Sequence, residues 1–260
     1  MILDVSVVER VLGRDADILK FVLNDEIIVR KSDVSRVQDI TSRFAWKNEL
    51  TRRMYKRKLY PNLTDDFDVE ASVDAKSNRG FFQTREYFTQ INLSHLDAWF
   101  EVKEASERYN LLEIEALAIQ PIAIHVRRGD YKNYQESFGL LSIKYFTDGA
   151  DYLKQKFGDK PIWLFSDEPD EVYRDFKRSG MDIVKVVLPQ ELGAAETLRL
   201  MSRASAQVIS NSTFSWWSGA LSSNQNVIYP NPWFKVNDGW LSNNNLALDK
   251  WIGIDALWEI

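Results

Sequence analysis

The sequence predicts an α/β protein whose second half forms a parallel sheet with helices on both faces. From Ile122 onward, short apolar runs alternate with segments of helical spacing. The runs are apolar throughout instead of alternating with polar residues, as expected for strands that are buried on both sides. The intervening segments are long enough for helical crossovers, which join parallel strands with right-handed connections.

Each element of this half has its own sequence signal. The first helix, Ile143–Phe157, has apolar residues at helical spacing and is followed by Gly158, a typical residue after a helix. The second helix ends before Gly180 for the same reason. The predicted strands are 122–126, 161–165, 182–188, 206–210 and 226–230, and the helices are 143–157, 170–179, 194–204 and 215–221. This order of elements is typical of a Rossmann-like domain.

The first part of the chain is more mixed. Strand-like pieces occur in 19–34, while the patterns of 35–60 and 97–116 favour helices. The segment 118–121, which ends at Pro121, separates the two parts. We therefore predict a smaller N-terminal domain at residues 1–120 and a C-terminal domain at residues 121–260.

The composition excludes several classes of protein. The 260-residue chain has no cysteine and two histidines, which excludes disulfides and thiolate metal sites and disfavours histidine-rich ones. Its net charge of −5 argues against a general nucleic-acid-binding protein. No apolar run approaches the ~20 residues of a membrane span, and the first residues do not resemble a signal peptide. We expect a cytoplasmic protein.

One charged segment in the N-terminal part has two interpretations. The stretch from Arg52 to Lys58, RRMYKRK, is mostly basic. It forms either a solvated helix face or a contact with anionic lipid headgroups, which attract each Lys or Arg near the surface by ~1 kcal/mol. The second interpretation predicts a peripheral protein at the inner face of the cytoplasmic membrane. A liposome flotation assay with anionic and neutral vesicles distinguishes the two.

Polar residues that can bind an anion follow several predicted strands. Because parallel strands end at the same edge of a sheet, where ligands bind, we expect these residues to lie close together. They are His125, Arg127, Arg128 and Asp130 after the first strand, Asp167 and Glu168 after the second, and Ser212, Thr213, Phe214 and Ser215 after the fourth.

The residue types favour a phosphate ligand. Guanidinium groups form forked, charge-assisted hydrogen bonds to phosphate oxygens. Ser212, Thr213 and Ser215 lie where a helix starts, so their hydroxyls and the free backbone N–H groups would face an anion. Simple helix capping is the alternative for these residues and for Asp167 and Glu168. GxxxxGK[ST] and GxGxxG are absent, which disfavours ATP hydrolysis and ordinary NAD binding, so a nucleoside diphosphate is favoured.

The aromatic residues at the same helix start have different expected roles. Adjacent helical residues point about 100° apart, so at most one of Trp216 and Trp217 reaches the crevice while the other packs on the sheet. Phe214 is better placed to stack on a base or to pack behind the phosphates.

Several segments resemble a known family. HVRRGDY (125–131) resembles the H-x-R-R-x-D signature of fucosyltransferases that form α-1,2 and α-1,6 linkages or fucosylate proteins. Further segments resemble, more narrowly, glycosyltransferase family 11, the α-1,2-fucosyltransferases. They are GFFQTREYF (80–88), WLFSDE (163–168), LMSRASAQVISNSTFSWWSGAL (200–221) and VIYPNPWF (227–234). The run ISNSTFSWWSGAL is the most specific of these matches.

The resemblance implies a GT-B-like fold with two Rossmann-type lobes, in which the C-terminal lobe binds most of the donor, GDP-fucose. It implies an inverting transfer of L-fucose to a galactoside hydroxyl without a metal ion, in keeping with the absence of a DxD motif before a strand. The implied acceptor is a glycan, and a lipid-linked surface-polysaccharide intermediate is one option.

The resemblance also implies roles for the residues at the strand ends. Arg127 resembles the arginine that binds the β-phosphate, and Arg128 would shape the loop or contact the nucleotide. His125 and Asp130 would complete the catalytic pocket, and Asp167 would lie near the guanosine. The diphosphate would be wrapped by Ser212, Thr213, Phe214 and Ser215.

The N-terminal part departs from the family. Relatives usually begin with a strand and the turn G-G-L-G-N-Q-[ML]-F-Q, which has no match here, since Gly13 is the only glycine before Gly80. Gln83 and Tyr87 would still come from this lobe and face the acceptor. We expect a shortened N-terminal lobe and keep two hypotheses. The chain is an active α-1,2-fucosyltransferase, or a shortened relative that binds GDP or a nucleotide sugar as a partner subunit without transferring it.

Overall fold

In the computed structural model, the described residues are 100–236 and 246–259, preceded by 2–4, 21, 28–30, 63–65, 77–79, 85 and 98. The chain forms two compact units. One consists of Met1–Leu19 and Leu23–Gln90, and the other of Lys20–Val22 and Ile91–Ile260. The second contains the predicted parallel sheet and is called the sheet unit below.

The described residues of the first unit form two pairs of parallel strands. β1 (Ile2–Asp4) pairs with β2 (Ile28–Arg30), and β3 (Leu63–Asp65) pairs with β4 (Ser77–Arg79). β2 confirms a strand within 19–34. The helix expected in 35–60 and the basic stretch from Arg52 to Lys58 lie outside the described residues. Among the residues that are described, no helix combines the length and apolar character that crossing a bilayer requires.

The sheet unit alternates strands and helices as predicted. A helix, α1 (Glu107–Ile119), precedes the first strand, β5 (Ile122–Val126). The remaining elements are α2 (Ile143–Phe157), β6 (Ile162–Ser166), α3 (Pro169–Ser179), β7 (Lys185–Val187), α4 (Ala194–Ser202), β8 (Ala206–Val208), α5 (Thr213–Ala220), β9 (Val227–Asn231) and β10 (Ile252–Asp255). The predicted boundaries agree to within a few residues, and β10 has no counterpart among the predicted strands.

The order of the strands defines where a ligand is expected. All six strands are parallel and lie in the order β7-β6-β5-β8-β9-β10. Counted from β5, this is the 3-2-1-4-5-6 order of doubly wound dinucleotide-binding folds. The winding reverses between β5 and β8, which pair through Ile122 with Ala206 and Ile124 with Val208. Ligands of such folds bind beyond the carboxyl ends of the strands at this reversal, so the residues after Val126 and Val208 occupy the expected position.

Alternate side chains of the central strands pack into two buried cores, one on each face. One core joins the strands to α2 and α3, and its members from β5 and β6 are Ile122, Ile124, Val126, Ile162 and Leu164. The other core joins them to α1 and α4 through Ala123, Trp163 and Phe165. Burying each large apolar side chain contributes roughly 1.5–3 kcal/mol. The two cores confirm the α/β class, with a Rossmann-type parallel sheet covered by helices on both faces.

Two features of the segment before β5 differ from the prediction. Residues 100–106 are not helical, and α1 begins at Glu107, because Ser106 caps it by accepting a hydrogen bond from the Tyr109 N–H at 3.1 Å. The predicted domain boundary at 120/121 also differs from the observed division after Gln90. α1 belongs to the sheet unit because Tyr109 and Leu112 are buried in the core formed with the sheet and α4.

Candidate active site

His125 near the end of β5 contacts the loop that follows β8. Its side chain is buried, and its Nδ1 lies 3.1 Å from Ser210 Oγ. The Ser210 hydroxyl lies 3.3 Å from Ser215 Oγ, so a chain of polar groups connects β5 with the start of α5. Burial, with the charge of Arg127 as a smaller cause, lowers the pKa of His125 to about 3. His125 is therefore neutral at physiological pH.

The low pKa of His125 predicts a loss of stability in weak acid. Unfolding returns the pKa towards 6.5, so below that pH the unfolded chain binds a proton that the native chain does not. The free energy of unfolding should fall by about 2 kcal/mol between pH 6.5 and 5 from this group. Urea unfolding of the protein and of His125→Gln isolates the effect, since His95 and the carboxylates are common to both. The variant should show the flatter pH dependence, and equal slopes would contradict the assignment of a neutral histidine.

Arg127 projects from the loop after β5 and is partly exposed. Its Nη1 lies 3.0 Å from Asp167 Oδ2, and its Nη2 lies 2.6 Å from Asp130 Oδ1. The guanidinium carbon also lies 5.8 Å from the centroid of the Tyr131 ring. These contacts orient the guanidinium, which has more N–H donors than they use. Arg127 can therefore present an oriented fork of donors to an anionic ligand.

Asp167, which follows β6, contacts the loop of Arg127, Arg128 and Gly129, called the arginine loop here. Its Oδ1 accepts a hydrogen bond from the Arg128 backbone N–H at 2.9 Å, while its Oδ2 contacts Arg127. Gly129 lies against the same carboxylate, and a Cβ at this position would overlap Asp167 Oδ2. A position of Asp167 near a guanosine stays a prediction. In the structure, both of its carboxylate oxygens hold the loop of Arg127, Arg128 and Gly129.

Arg128 is buried, unlike its neighbour Arg127. Its side chain is 2% exposed and forms an ion pair with Glu259. Its Nε and Nη2 have no hydrogen-bond partner among the described residues. Of the two roles expected for Arg128, shaping the loop agrees with this burial, and contact with the nucleotide stays a prediction.

The start of α5 supplies backbone donors beside the arginine loop. Ser212 occupies the N-cap position without a side-chain capping bond. The first N–H groups of a helix have no acceptor within the helix and attract anions. Thr213 is exposed, whereas Ser215 is fully buried, and its hydroxyl bonds to the carbonyl oxygens of Ser210 and Ser212 at 2.9 and 3.1 Å. The Ser215 side chain therefore stabilises the turn, and the Thr213 hydroxyl and the N–H groups are better placed for a ligand.

Two contacts that sequence analysis did not assign to the site connect the loops after β5 and β8. Tyr131 Oη donates a hydrogen bond to the backbone oxygen of Asn211 at 2.9 Å, and burial raises the pKa of Tyr131 to about 12. Asn211 Nδ2 donates to the backbone oxygen of Phe138 at 2.8 Å. Tyr131 belongs to the motif HVRRGDY, and Asn211 belongs to the motif ISNSTFSWWSGAL. Membership of these motifs is the sequence signal that indicates a place for both residues in the site.

The aromatic residues of α5, Phe214, Trp216 and Trp217, differ in their burial and in the residues that they contact. The Phe214 ring lies 5.5 Å from the His125 ring and packs against the core of α1 and α4. Trp216 is buried, and its Nε1 donates to a backbone carbonyl at 2.6 Å. Trp217 is half-buried and stacks on Phe100 at 5.3 Å. Trp216 is thus a core residue, whereas stacking of Phe214 on a base or its packing behind the phosphates stays a prediction.

Glu168 contacts Lys132 in the turn that follows Arg128 and does not cap α3 with its side chain. It occupies the N-cap position of α3, but Lys132 Nζ lies 2.5 Å from its Oε2 and 2.9 Å from Glu171 Oε2. The hydrogen bond to Glu168 is the largest cause of a raised pKa at Lys132. The protonated lysine therefore links the 3-10 turn Gly129–Tyr134 to the start of α3.

Some predicted features lie beyond what is described. Gln83 and Tyr87, expected on the acceptor side, lie outside the described residues, and their roles stay predictions. Within the ranges that the structure describes, no group of three or more His, Asp or Glu side chains is arranged to hold a metal ion. Glu259, which pairs with Arg128, had no signal in the sequence that connected it with the site.

Comparisons with known proteins place the chain among glycosyltransferases. The family described as Glycosyl transferase family 11 matches residues 3–255. An Escherichia coli protein named Alpha-1,2-colitosyltransferase is 33% identical over 66% of this chain and 56% of its own length. An Escherichia coli protein named O-antigen biosynthesis glycosyltransferase WbnK is 28% identical over 51% of this chain and 44% of its own length. The chain thus spans about half the length of these curated relatives.

Two solved structures share more distant similarity. POFUT1 in complex with GDP has a TM-score of 0.37 at 14% identity, over 54% of this chain and 49% of that chain. A glycosyl transferase family 9 structure from Veillonella parvula has a TM-score of 0.39 at 10% identity, over 98% of this chain and 76% of that chain. Classification rests on the family match, which extends over nearly the whole sequence. The chain belongs to glycosyl transferase family 11.

Proposed function

We propose that the chain transfers L-fucose from GDP-fucose to a galactoside hydroxyl in α-1,2 linkage, with inversion at the anomeric carbon. One observation carries the proposal: the Arg127 loop after β5 and the first turn of α5 after β8 meet where the winding of the sheet reverses. Both groups suit a diphosphate. Membership of glycosyl transferase family 11 supports a nucleotide-sugar donor, and the name of the 33% identical relative supports the linkage.

Contacts between the two loops support the idea that they act on one ligand. His125 Nδ1 lies 3.1 Å from Ser210 Oγ, and Tyr131 Oη donates to the Asn211 backbone oxygen at 2.9 Å. A diphosphate between the loops would receive forked hydrogen bonds from Arg127 and further hydrogen bonds from the N–H groups at the start of α5.

The proposed reaction breaks the bond between the anomeric carbon of fucose and the β-phosphate oxygen while an acceptor hydroxyl attacks the opposite face. The hydroxyl proton passes to a base, and GDP leaves with growing negative charge. Arg127 and the N–H groups of α5 stabilise that charge, and oriented donors of this kind contribute ~3–4 kcal/mol each. Because the pKa of His125 is about 3, this residue completes the pocket as a neutral hydrogen-bonding group and is not proposed as the base.

A transfer assay tests the proposal. Labelled fucose should pass from GDP-fucose to at least one member of a panel of β-galactosides, and NMR of the product should show an α-1,2 linkage. Calorimetry with GDP runs beside it, because the donor site should bind GDP without an acceptor. A protein that neither binds GDP nor transfers fucose would contradict the proposal.

A second candidate donor is a nucleotide-activated colitose, which the name of the 33% identical relative favours. The same acceptor panel with GDP-colitose in place of GDP-fucose distinguishes the two sugars. A preference for GDP-colitose would leave the diphosphate site unchanged and would move the donor assignment to colitose.

The groups that suit a diphosphate all lie in the sheet unit, which favours a further candidate, a subunit that binds GDP or a nucleotide sugar without transferring it. GDP binding without transfer to any acceptor would support this candidate. The proposed acceptor is a glycan, and lipid-linked acceptors belong in the panel because the basic stretch from Arg52 to Lys58 suggests contact with anionic membranes.

A further inference from the structure

Residues 256–259, called the strap here, run antiparallel to the segment that leads into α2 and pair with it through Trp258 and Leu141. Gly139, with a φ of +81°, leaves space for the Trp258 ring, which a Cβ at this position would overlap. Three backbone hydrogen bonds hold the strap: Ala256 N–H to Asn231 O at 3.0 Å, Ser142 N–H to Leu257 O at 2.7 Å, and Glu259 N–H to Leu140 O at 2.7 Å. These hydrogen bonds therefore fix the backbone of Glu259 on the sheet unit.

The strap brings the Glu259 carboxylate to the buried guanidinium of Arg128. The Arg128 side chain is 2% exposed, whereas that of Glu259 is 38% exposed. Within residues 100–236 and 246–259, Glu259 is the carboxylate that forms an ion pair with Arg128, whose Nε and Nη2 have no partner there. A buried charge without a counter-charge is strongly unfavourable, so the position of Arg128 depends on Glu259.

Arg128 is coupled in turn to the partly exposed Arg127. The Arg128 N–H bonds to Asp167 Oδ1 at 2.9 Å, and Arg127 Nη1 lies 3.0 Å from Oδ2 of the same carboxylate. A shift of Arg128 would therefore move the Asp167 contact that orients Arg127. Misplacing a binding group by about 1 Å can lower activity roughly 100-fold.

We infer that Glu259 is a positioning residue of the nucleotide site. By neutralising and anchoring Arg128, it keeps Arg127 in the orientation that binds the β-phosphate of the donor. The inference rests on the proposed function, since it takes Arg127 to contact a diphosphate. It adds the strap to the elements that form the donor site, although Glu259 itself does not contact the ligand.

Calorimetry with GDP and GMP tests the inference in the full chain, because GMP lacks the β-phosphate. Glu259→Ala should weaken GDP binding about 10-fold or more and leave GMP binding nearly unchanged. Glu259→Gln keeps an oxygen acceptor for Arg128 and should lose less. Glu191→Ala is the matched control, since it breaks another arginine–glutamate pair, to Arg108 at 2.6 Å, on the α1 face. Thermal unfolding of each variant shows that it is folded at the titration temperature.

The outcomes separate this inference from the proposed function. A selective loss of GDP affinity in Glu259→Ala, or in Glu259→Gln if the alanine variant does not fold, supports the positioning role. Equal losses for GDP and GMP would show a merely structural role and would overturn it, as would unchanged GDP affinity. If the unaltered protein does not bind GDP, the proposed function and this inference both fail.

Discussion

Replacing Arg127 with alanine should lower the rate of sugar transfer roughly 100-fold or more, because one oriented donor to the leaving diphosphate is lost. GDP affinity should fall as well, since the guanidinium contacts the diphosphate before the reaction in the proposed complex. The protein should stay folded, because Arg127 is partly exposed and ion pairs of such residues contribute little to stability. Measurement of kcat/KM for GDP-fucose, together with calorimetry with GDP, gives both effects.

Two further variants control for charge and folding. Arg127→Lys keeps the charge but loses the planar fork, so its activity should lie between those of the protein and of Arg127→Ala. Arg178→Ala removes an exposed arginine that pairs with Asp175 at 3.1 Å on α3, and it should transfer sugar normally. Near-normal turnover of Arg127→Ala would contradict the assignment of Arg127 to the diphosphate.

Replacing Gly129 with alanine should lower GDP affinity roughly 100-fold, with little loss of stability. The added Cβ would overlap Asp167 Oδ2, so the carboxylate must move away from the Arg128 N–H and the Arg127 guanidinium. Displacement of binding groups by about 1 Å can have effects of this size. Gly129 itself is partly exposed, and the two cores do not include it.

Gly180→Ala is the control for this variant. Gly180 ends α3 with a φ of +82° and has open space around its Cα, so alanine there should reduce stability by about 1 kcal/mol and leave GDP binding unchanged. Calorimetry should therefore show a loss of GDP affinity only in Gly129→Ala, and urea unfolding should show the larger loss of stability in Gly180→Ala. Full GDP affinity in Gly129→Ala would show that the loop tolerates displacement of Asp167.

The parallel sheet could be predicted because its signals are local. Strands buried on both faces lack a regular alternation of apolar and polar residues, as in Ile122–Val126, and Gly158 and Gly180 mark helix ends. The capping of α1 by Ser106 was missed, since the apolar pattern before it continues without a break. The edge strand β10 was also missed, because its residues alternate between partly buried and exposed positions and its pairing with β9 is not visible in the chain order.

The site could be predicted only in part. The meeting of the loops after β5, β6 and β8 follows from the rule that ligands bind at the carboxyl ends of parallel strands. The different environments of Arg127 and Arg128 could not be predicted, because they depend on Glu259, which is distant in sequence. The burial of Ser215 and the use of both Asp167 oxygens by the arginine loop likewise depend on tertiary contacts.

A crystal structure of the protein with GDP is the most direct test of the diphosphate site at the reversal point of the sheet. The β-phosphate oxygens should lie within hydrogen-bond distance of the Arg127 guanidinium, and the diphosphate should face the N–H groups at the start of α5 near Thr213. A diphosphate bound away from both groups, with Arg127 in contact only with Asp130 and Asp167, would contradict the proposed donor site.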